Sequence, residues 1–213
     1  MSVIKSVITQ VEDSELIEKK HKQIVKAANE LFSKHGYHKT SMRDIAKATG
    51  INLSYLYNFI SSKNDILFLF YKSLHKKLWV ELYEDLDKST DKNPVEQLSD
   101  FLKEVLIINN TYRDEIRTMY TETRHLEKES LQAVLSTESR FIRQIEKLIS
   151  RGVEQGVFTT EDSHFAANII QYCIGFNVLR DWNFKDRYTF TRSIDLLVDF
   201  VLKSLAVNGR EGK

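Results

Sequence analysis

Apolar residues recur every three or four positions over most of the chain, which is the spacing of one face of an α-helix. The first such helix is predicted from about Glu15 to Lys34, before Gly36, which suits a left-handed C-cap. Longer helices are predicted over 63–86, 94–108 and 131–153, with a turn at 109–111. One proline and seven glycines argue against an all-β sandwich, which needs frequent turns. The pattern therefore predicts an all-α protein.

Two short helices follow the first one and carry clear start and stop signals. Ser41 and Asp44 form a capping-box pattern, in which each side chain caps a backbone amide near the other. That helix is expected to stop at Gly50, and Asn52 is a good N-cap for the next. Two short helices joined by three residues indicate a helix-turn-helix. About the first dozen and the last half-dozen residues are expected to lie loose.

The last two predicted helices, 165–179 and 194–205, are apolar around most of their circumference. A helix of that kind is buried on more than one side. We therefore expect these two helices to form a homodimer interface. The alternative is that they lie at the centre of the chain's own core.

Charge is distributed unevenly along a chain whose net charge is only +1. Between Lys19 and Lys63 there are nine basic residues against Glu30 and Asp44, so this segment carries +7 and the remainder −6. A basic block on a near-neutral chain favours a polyanionic partner, although an ordinary solvated face is the alternative.

Signals for catalysis, metal binding, membranes and secretion are weak. The chain contains no nucleophile elbow, P-loop or zincin motif, and its six histidines lack ligand spacing. The single Cys173 forms no internal disulfide, as is usual in the cytoplasm. No run of apolar residues is long enough to span a membrane, and no secretory signal is visible at the start. We expect a cytoplasmic protein that is not an enzyme and needs no metal or cofactor.

The segments GYHKTSMRDIA (36–46) and GINLSYLYNFISSKNDIL (50–67) closely resemble the DNA-binding signature of TetR-family transcriptional regulators. The match extends over roughly residues 15 to 70, whereas the rest of the chain is similar only in length and number of helices. The resemblance implies a three-helix DNA-binding domain at 15–62. It also implies a larger helical bundle at 63–207 that binds an effector and dimerises.

Several residues of this segment suit contact with double-stranded DNA. Ser41 opens a helix N-terminus that can receive a phosphate, and Arg43 carries a forked donor for guanine or phosphate. Leu53 can touch a thymine methyl group, and Lys63 can anchor a phosphate. The full set predicted to bind DNA is Thr40, Ser41, Arg43, Asn52, Leu53, Ser54, Tyr55, Tyr57, Asn58 and Lys63.

This segment departs from the usual family pattern at two places. Small residues are common where Ser54 and Tyr55 stand, and Tyr-Phe is common where Phe59-Ile60 stand. Phe59 has no hydroxyl for a phosphate, and we expect it to lie in the core. Tyr55 is bulkier than usual, so base preference does not carry over from relatives.

Polar and aromatic residues on two later helices are candidates for an effector site, because a few polar groups among apolar ones orient a ligand. They are Tyr120, Glu122, Arg124, Tyr172, Phe176, Asn177, Arg180 and Trp182. The pattern is similar to TetR regulators that respond to acyl-coenzyme A esters. By that resemblance, Arg180, Lys185 and Arg187 would meet the phosphates of coenzyme A. A plain helical core with surface arginines is the alternative.

The hypothesis is a homodimeric, ligand-responsive DNA-binding regulator, most simply a repressor, that binds an inverted repeat and is released by a small apolar effector. One alternative is a helical enzyme or binding protein that acts on an anionic substrate such as a coenzyme A thioester. The other is a constitutive architectural protein that uses the same helix-turn-helix without any ligand.

Overall fold

The computed structural model describes residues 6–78, 80–88 and 92–207. Its helices confirm the all-α prediction, and among these residues only an isolated bridge between Phe158 and Ala206 is of β type. The helices are α1 (Ser14–His35), α2 (Met42–Thr49), α3 (Leu53–Tyr57), α4 (Lys63–Leu78), α5 (Val80–Lys88), α6 (Pro94–Thr111), α7 (Arg113–Glu122), the 3₁₀ turn η1 (Thr123–His125), α8 (Lys128–Glu154), α9 (Ser163–Leu179), α10 (Asp181–Phe184) and α11 (Phe190–Leu205).

These helices form two compact units. The first unit comprises the described residues up to Lys77 together with Asp114–Thr137. The second unit comprises Leu78–Arg113 and the described residues from Glu138 onward. The sequence predicts a boundary between a DNA-binding domain and an effector domain after residue 62. That boundary concerns function, not compactness, and stays a prediction.

The caps predicted for α2 and α3 are present in the first unit, whereas Gly36 after α1 has φ +80° and ψ 157° and is not a left-handed helical cap. The Ser41–Asp44 capping box is present in both directions, and Asn52 Oδ1 accepts the Tyr55 amide at 2.7 Å. Gly50 ends α2 with φ +71°, in the left-handed region that favours glycine. Ile45, Ala46 and Leu56 are buried and form the small core of the helix-turn-helix.

The turn η1 and the start of α8 attach to the amino end of α4 within the first unit. The Asn64 amide donates to the backbone oxygen of His125 at 2.8 Å and accepts from the Ser130 hydroxyl at 2.9 Å. The rings of Tyr37 and His125 stack with their centroids 5.3 Å apart. Because Asn64 and Ser130 are buried, both of these hydrogen bonds are protected from water.

The second unit is built around α6, against which α9 and α11 both pack. Leu98, Phe101, Leu102 and Val105 supply the apolar face of α6. The buried Asn109 amide donates to the backbone oxygen of Ile174 at 3.0 Å and so joins α6 to α9. The Tyr83 hydroxyl donates to Gln171 Oε1 at 2.6 Å and joins α5 to α9.

Three expectations from the sequence need correction. The turn at 109–111 is wrong, because α6 continues to Thr111 and uses Asn109 as a buried helix-helix contact. The short helix α10 was not predicted. The first dozen residues are not all loose, because the Gln10 backbone amide donates to the Asn58 oxygen at 2.8 Å. Of the helix expected over 63–86, the part at residue 79 lies outside the described residues.

Candidate nucleic-acid interface

The amino end of α2 presents a cation to solvent beside an internally capped helix start. The side chains of Ser41 and Asp44 are exposed and only 2.6 Å apart, hydroxyl to carboxylate. These hydrogen bonds hold the pKa of the Asp44 carboxyl below its usual range, so the carboxylate stays ionised. Arg43 is exposed on the same turn, so its guanidinium is available to a polyanion while Asp44 occupies the helix start.

The recognition helix α3 divides cleanly into an inner and an outer face. Leu56 is fully buried, and so is the following Phe59, as expected for a core residue. Tyr55 and Tyr57 are 36% and 41% exposed, so both rings and hydroxyls are accessible from solvent. Asn52 and Ser54 are also exposed, while Leu53 and Asn58 are half-buried. The outer face therefore offers hydroxyl, amide and aromatic groups to a ligand.

Thr40 and Lys63 lie further inside than the other residues predicted to bind DNA. Thr40 is buried, and its hydroxyl donates to the Gly36 oxygen at 2.9 Å. The Lys63 ammonium donates to the backbone oxygens of Tyr37 and Thr40 at 2.7 and 2.8 Å. Burial lowers the pKa of Lys63 from its ordinary value. At least two of its three N–H donors thus hold the loop between α1 and α2.

Two residues at this surface were missed by the sequence reasoning. The ring nitrogen Nε2 of His21 lies 2.9 Å from the Phe59 oxygen, and the Lys20 ammonium lies 5.6 Å from the centre of the Tyr55 ring. Both residues belong to α1, more than thirty positions before the groups they contact. The sequence signal for Lys20 was its membership of the basic block, and His21 had no signal beyond its place next to Lys20.

The predicted effector residues on and just after α7 belong to the first unit. Tyr120 is half-buried, Arg124 is exposed, and a carboxylate oxygen of Glu122 lies 3.4 Å from His125 Nε2. Glu122 also lines a cleft of about 660 Å³ between α1 and α7, among mostly polar side chains. Such a lining does not suit an acyl chain, which needs apolar walls.

The predicted effector residues on α9 and α10 belong to the second unit. Some of their side chains face solvent, and others face the interior. Tyr172 and Trp182 are 67% and 65% exposed, whereas Phe176 and Asn177 are half-buried. The Arg180 guanidinium lies 5.0 Å from the Trp182 ring, and the Phe176 ring packs on Phe184 at 5.2 Å. Lys185 and Arg187 are exposed. Of the set, Asn177 is the residue whose polar atom lies inside the unit.

Of the buried polar atoms without a partner in the described part of the chain, three lie in the second unit and one, Asn29 Oδ1, lies on α1 in the first. Asn177 Nδ2, Gln144 Oε1 and Arg151 Nε are each shielded from solvent and make no hydrogen bond. Such atoms are rare in folded proteins, because an unpaired buried polar group costs free energy. Two donors and one acceptor on α8 and α9 are therefore available to a bound molecule.

Glu138 on α8 is a further candidate for the effector site that the sequence did not indicate. It stands four residues after Val134 and three before Phe141, on the apolar side of the helix. Burial raises the pKa of its carboxyl, which favours the neutral form that donates a hydrogen bond. A charged residue at an apolar register position was the signal that would have found it.

Groups suited to catalysis or metal binding are scarce in the described part of the chain. No three His, Cys, Asp or Glu side chains there are placed to hold a metal ion. Burial raises the pKa of the Cys173 thiol, which keeps it in its unreactive protonated form. No helix in this part is long and apolar enough to cross a membrane.

Two family models match the chain. Residues 24–69 match the bacterial regulatory proteins of the tetR family, and residues 91–175 match the tetracyclin repressor-like C-terminal domain. The first match contains α2, α3 and the loop that Lys63 holds. Regulators of this family bind operator DNA as dimers and respond to small-molecule effectors.

Similar proteins agree with the family models. The HTH-type transcriptional regulator HbdR of Aromatoleum sp. (strain CIB) is 27% identical over 196 residues, which cover 92% of this chain and 84% of that protein. FadR from Bacillus subtilis in complex with stearoyl-CoA is 19% identical, with a TM-score of 0.71 over 87% of this chain and 99% of that one. AibR in complex with isovaleryl coenzyme A and operator DNA is 20% identical, with a TM-score of 0.69 over 88% and 98%.

The curated relative is a transcriptional regulator, and nothing in these likenesses supports the enzyme alternative. At 19% and 20% identity, the two solved structures show that the fold is the same and show nothing further. The family models, the relative and the exposed face of α3 agree with one another. The chain belongs to the TetR family of bacterial transcriptional regulators.

Proposed function

We propose that the protein is a dimeric repressor in the cytoplasm that leaves its operator when an acyl-coenzyme A ester binds inside the second unit. The main support for DNA binding is the solvent-exposed face of α2 and α3. This face exposes Arg43, Tyr55 and Tyr57 on helices with well-defined caps. Phosphate contacts would position the protein, and contacts to base edges would select the sequence.

The exposure of their side chains divides the proposed DNA-binding residues into two groups, those that contact DNA directly and those that hold the loop before α2. Arg43, Ser54, Tyr55 and Tyr57 have the accessible side chains that direct contact needs. Thr40 and Lys63 act mainly by holding the loop before α2, with the third Lys63 donor as the one that would reach a phosphate. Exposed Ser41 would contribute its backbone position, since its hydroxyl is bonded to Asp44.

An exposed apolar face on the last two long helices supports the proposed dimer. Phe165, Ile169 and Tyr172 follow each other at helical spacing on α9 and are 66%, 49% and 67% exposed. On α11, Leu196 and Phe200 are 36% and 65% exposed. The opposite sides of both helices are buried in the second unit, so α9 is apolar on both sides. The solvent side of α11 is mixed, because Asp195, Asp199 and Lys203 are exposed beside its two apolar residues. A two-fold dimer would cover these faces with their own copies.

The orphan polar atoms of α8 and α9 support the proposed effector. Asn177 Nδ2 and Arg151 Nε are N–H donors without a partner, and either one could serve the acceptor oxygen of a thioester carbonyl. Ile174 and Val178 are buried beside Asn177 on α9. Structures of the same fold, FadR and AibR, bind stearoyl-CoA and isovaleryl coenzyme A. These two acyl groups differ greatly in length, so the fold accommodates both long and short esters.

The proposed mechanism is a population shift. A ligand that prefers the form with unsuitable spacing of the recognition helices lowers affinity for two half-sites about 34–36 Å apart. A coupling free energy of about 1–3 kcal/mol would reduce operator affinity roughly 5–150-fold. A constitutive architectural protein would show no such release.

Replacing Arg43 with alanine is expected to reduce discrimination between operator and random DNA about tenfold, because a bidentate base contact is worth about 1–3 kcal/mol. The operator is the duplex that the parent protein selects from a random library, and affinity is measured by fluorescence anisotropy. Lys47→Ala, which removes another exposed cation of α2, serves as the control. Equal discrimination by Arg43→Ala and the parent would show that Arg43 does not read bases.

Phe200→Asp is expected to convert the dimer to monomers at micromolar concentration, because the charge would be buried unpaired in the interface. Thr191→Asp adds the same charge to an exposed position in the first turn of α11 and should leave the dimer intact. Analytical ultracentrifugation distinguishes the two. A parent protein that sediments as a monomer at this concentration would contradict the proposed interface.

Acyl-coenzyme A esters of increasing length are expected to release the operator at decreasing concentration, about fourfold for each methylene that becomes buried, since each buried CH₂ contributes about 0.8 kcal/mol. Coenzyme A alone and free acids should release little. Asn177→Leu should raise the half-release concentration about tenfold, whereas Asn168→Leu, at an exposed position on the same helix, should not. An operator complex that survives every ester well above micromolar concentration would remove this effector class.

A further inference from the structure

The carboxyl end of α3 is held by groups that lie outside the helix-turn-helix. The last carbonyl groups of α3 are bonded locally, since the Tyr55 oxygen accepts from the Asn58 amide and the Leu56 oxygen from the Phe59 amide. The carbonyl groups that follow the helix need partners from elsewhere. Beyond its end, the Asn58 oxygen accepts from the Gln10 backbone amide at 2.8 Å. The next oxygen, of Phe59, lies 2.9 Å from His21 Nε2. Two successive carbonyl groups are thus bound by the residues before and within α1.

The His21 contact is specific in its chemistry. A backbone oxygen only accepts hydrogen bonds, so His21 must carry a hydrogen on Nε2 to make it. The ring is half-buried and spans 38 positions in the chain, from α1 to the segment that ends the recognition helix. This side chain therefore fixes the distance between α1 and the end of α3 at one point.

Lys20, the neighbour of His21, reaches the outer face of α3. Its ammonium lies 5.6 Å from the centre of the Tyr55 ring, within the range of a cation–π interaction. The other contact of that ring is edge-on with buried Phe59, at 5.1 Å between centroids. Tyr55 is thereby held between a core aromatic ring and the cation of half-buried Lys20, which also donates to Gln23 Oε1 at 3.3 Å. The same cation lies at the surface where the DNA backbone would pass.

We infer that Lys20 and His21 belong to the DNA-binding site: His21 as a positioning residue for the recognition helix and Lys20 as a direct phosphate contact that also orients Tyr55. The inference rests on the proposed DNA interface of α2 and α3. It adds residues of α1 that the motif does not include. Sequence discrimination would depend on His21, and the electrostatic part of the affinity on Lys20.

The first test compares His21→Leu, which removes the donor, with His21→Gln, which keeps an amide N–H at a similar reach. Each full-length variant is measured against the operator selected by the parent and against random duplex, after circular dichroism has shown that it is folded. We expect His21→Leu to lower the ratio of the two affinities about three- to tenfold, with affinity for random DNA unchanged. His21→Gln should recover most of the ratio. A merely structural role would lower thermal stability without moving this ratio.

The second test measures the dependence of affinity for random duplex on salt concentration. Lys20→Ala should reduce the slope of log affinity against log salt by about one, because one phosphate contact is lost. Lys26→Ala, at an exposed lysine further along α1, is the matched control and should leave the slope unchanged. Lys20→Arg should restore it.

Three results would overturn the inference. They are an unchanged discrimination ratio in folded His21→Leu, an unchanged slope in Lys20→Ala, or an equal loss of slope in Lys26→Ala. Failure of the proposed function looks different, because the parent protein itself would then select no sequence from the library. Parent selection combined with a loss of discrimination in Arg43→Ala but not in His21→Leu would leave the DNA interface intact and remove His21 from it.

Discussion

The recognition helix has five residues, and a helix this short has no stability of its own in water, because nucleation costs more than so few hydrogen bonds return. Its position depends on the capping of both ends. Asn52 caps its amino end locally, and the Gln10 amide and His21 bind the carbonyl groups that follow it. Buried Leu56 and Phe59 fix its inner side. The geometry of the DNA-reading face is therefore a property of the whole first unit.

In the second unit, the main constraint is the packing of two long helices, α9 and α11, against α6. Its last two long helices are apolar on the side that packs against α6, and α9 is also apolar on the side that faces solvent. The solvent side of α11 carries Leu196 and Phe200 among charged residues. Inside the unit, the amide nitrogen of Asn109 on α6 donates to the Ile174 oxygen on α9, whereas the amide nitrogen of Asn177 has no partner. The contrast matters because a satisfied buried amide joins helices, while an unsatisfied one is available to a ligand. On one helix, α9, the second unit thus carries both the exposed apolar face of the proposed dimer and a buried amide nitrogen without a partner.

Local features were predictable because their causes lie close together in the sequence. The Ser41–Asp44 box, the Gly50 turn and the Asn52 cap each involve residues at most four positions apart. Contacts between residues far apart in the sequence were not predictable. No local pattern around Asn109 or His21 indicates which carbonyl group each side chain contacts. Asn109 was read as a turn residue for this reason, and its burial between two helices prevailed over its turn preference. The exposed cations of the motif were identified, but the inward direction of Lys63 depends on the loop that it holds.

The central claim is that two copies of the first unit read DNA through α3 at two half-sites. Hydroxyl-radical footprinting of the full-length protein on its selected duplex tests this most directly. The account predicts two protected patches on one side of the duplex, with centres about 34–36 Å apart and related by the symmetry of the sequence. A single protected patch, or protection spread evenly along the duplex, would contradict it.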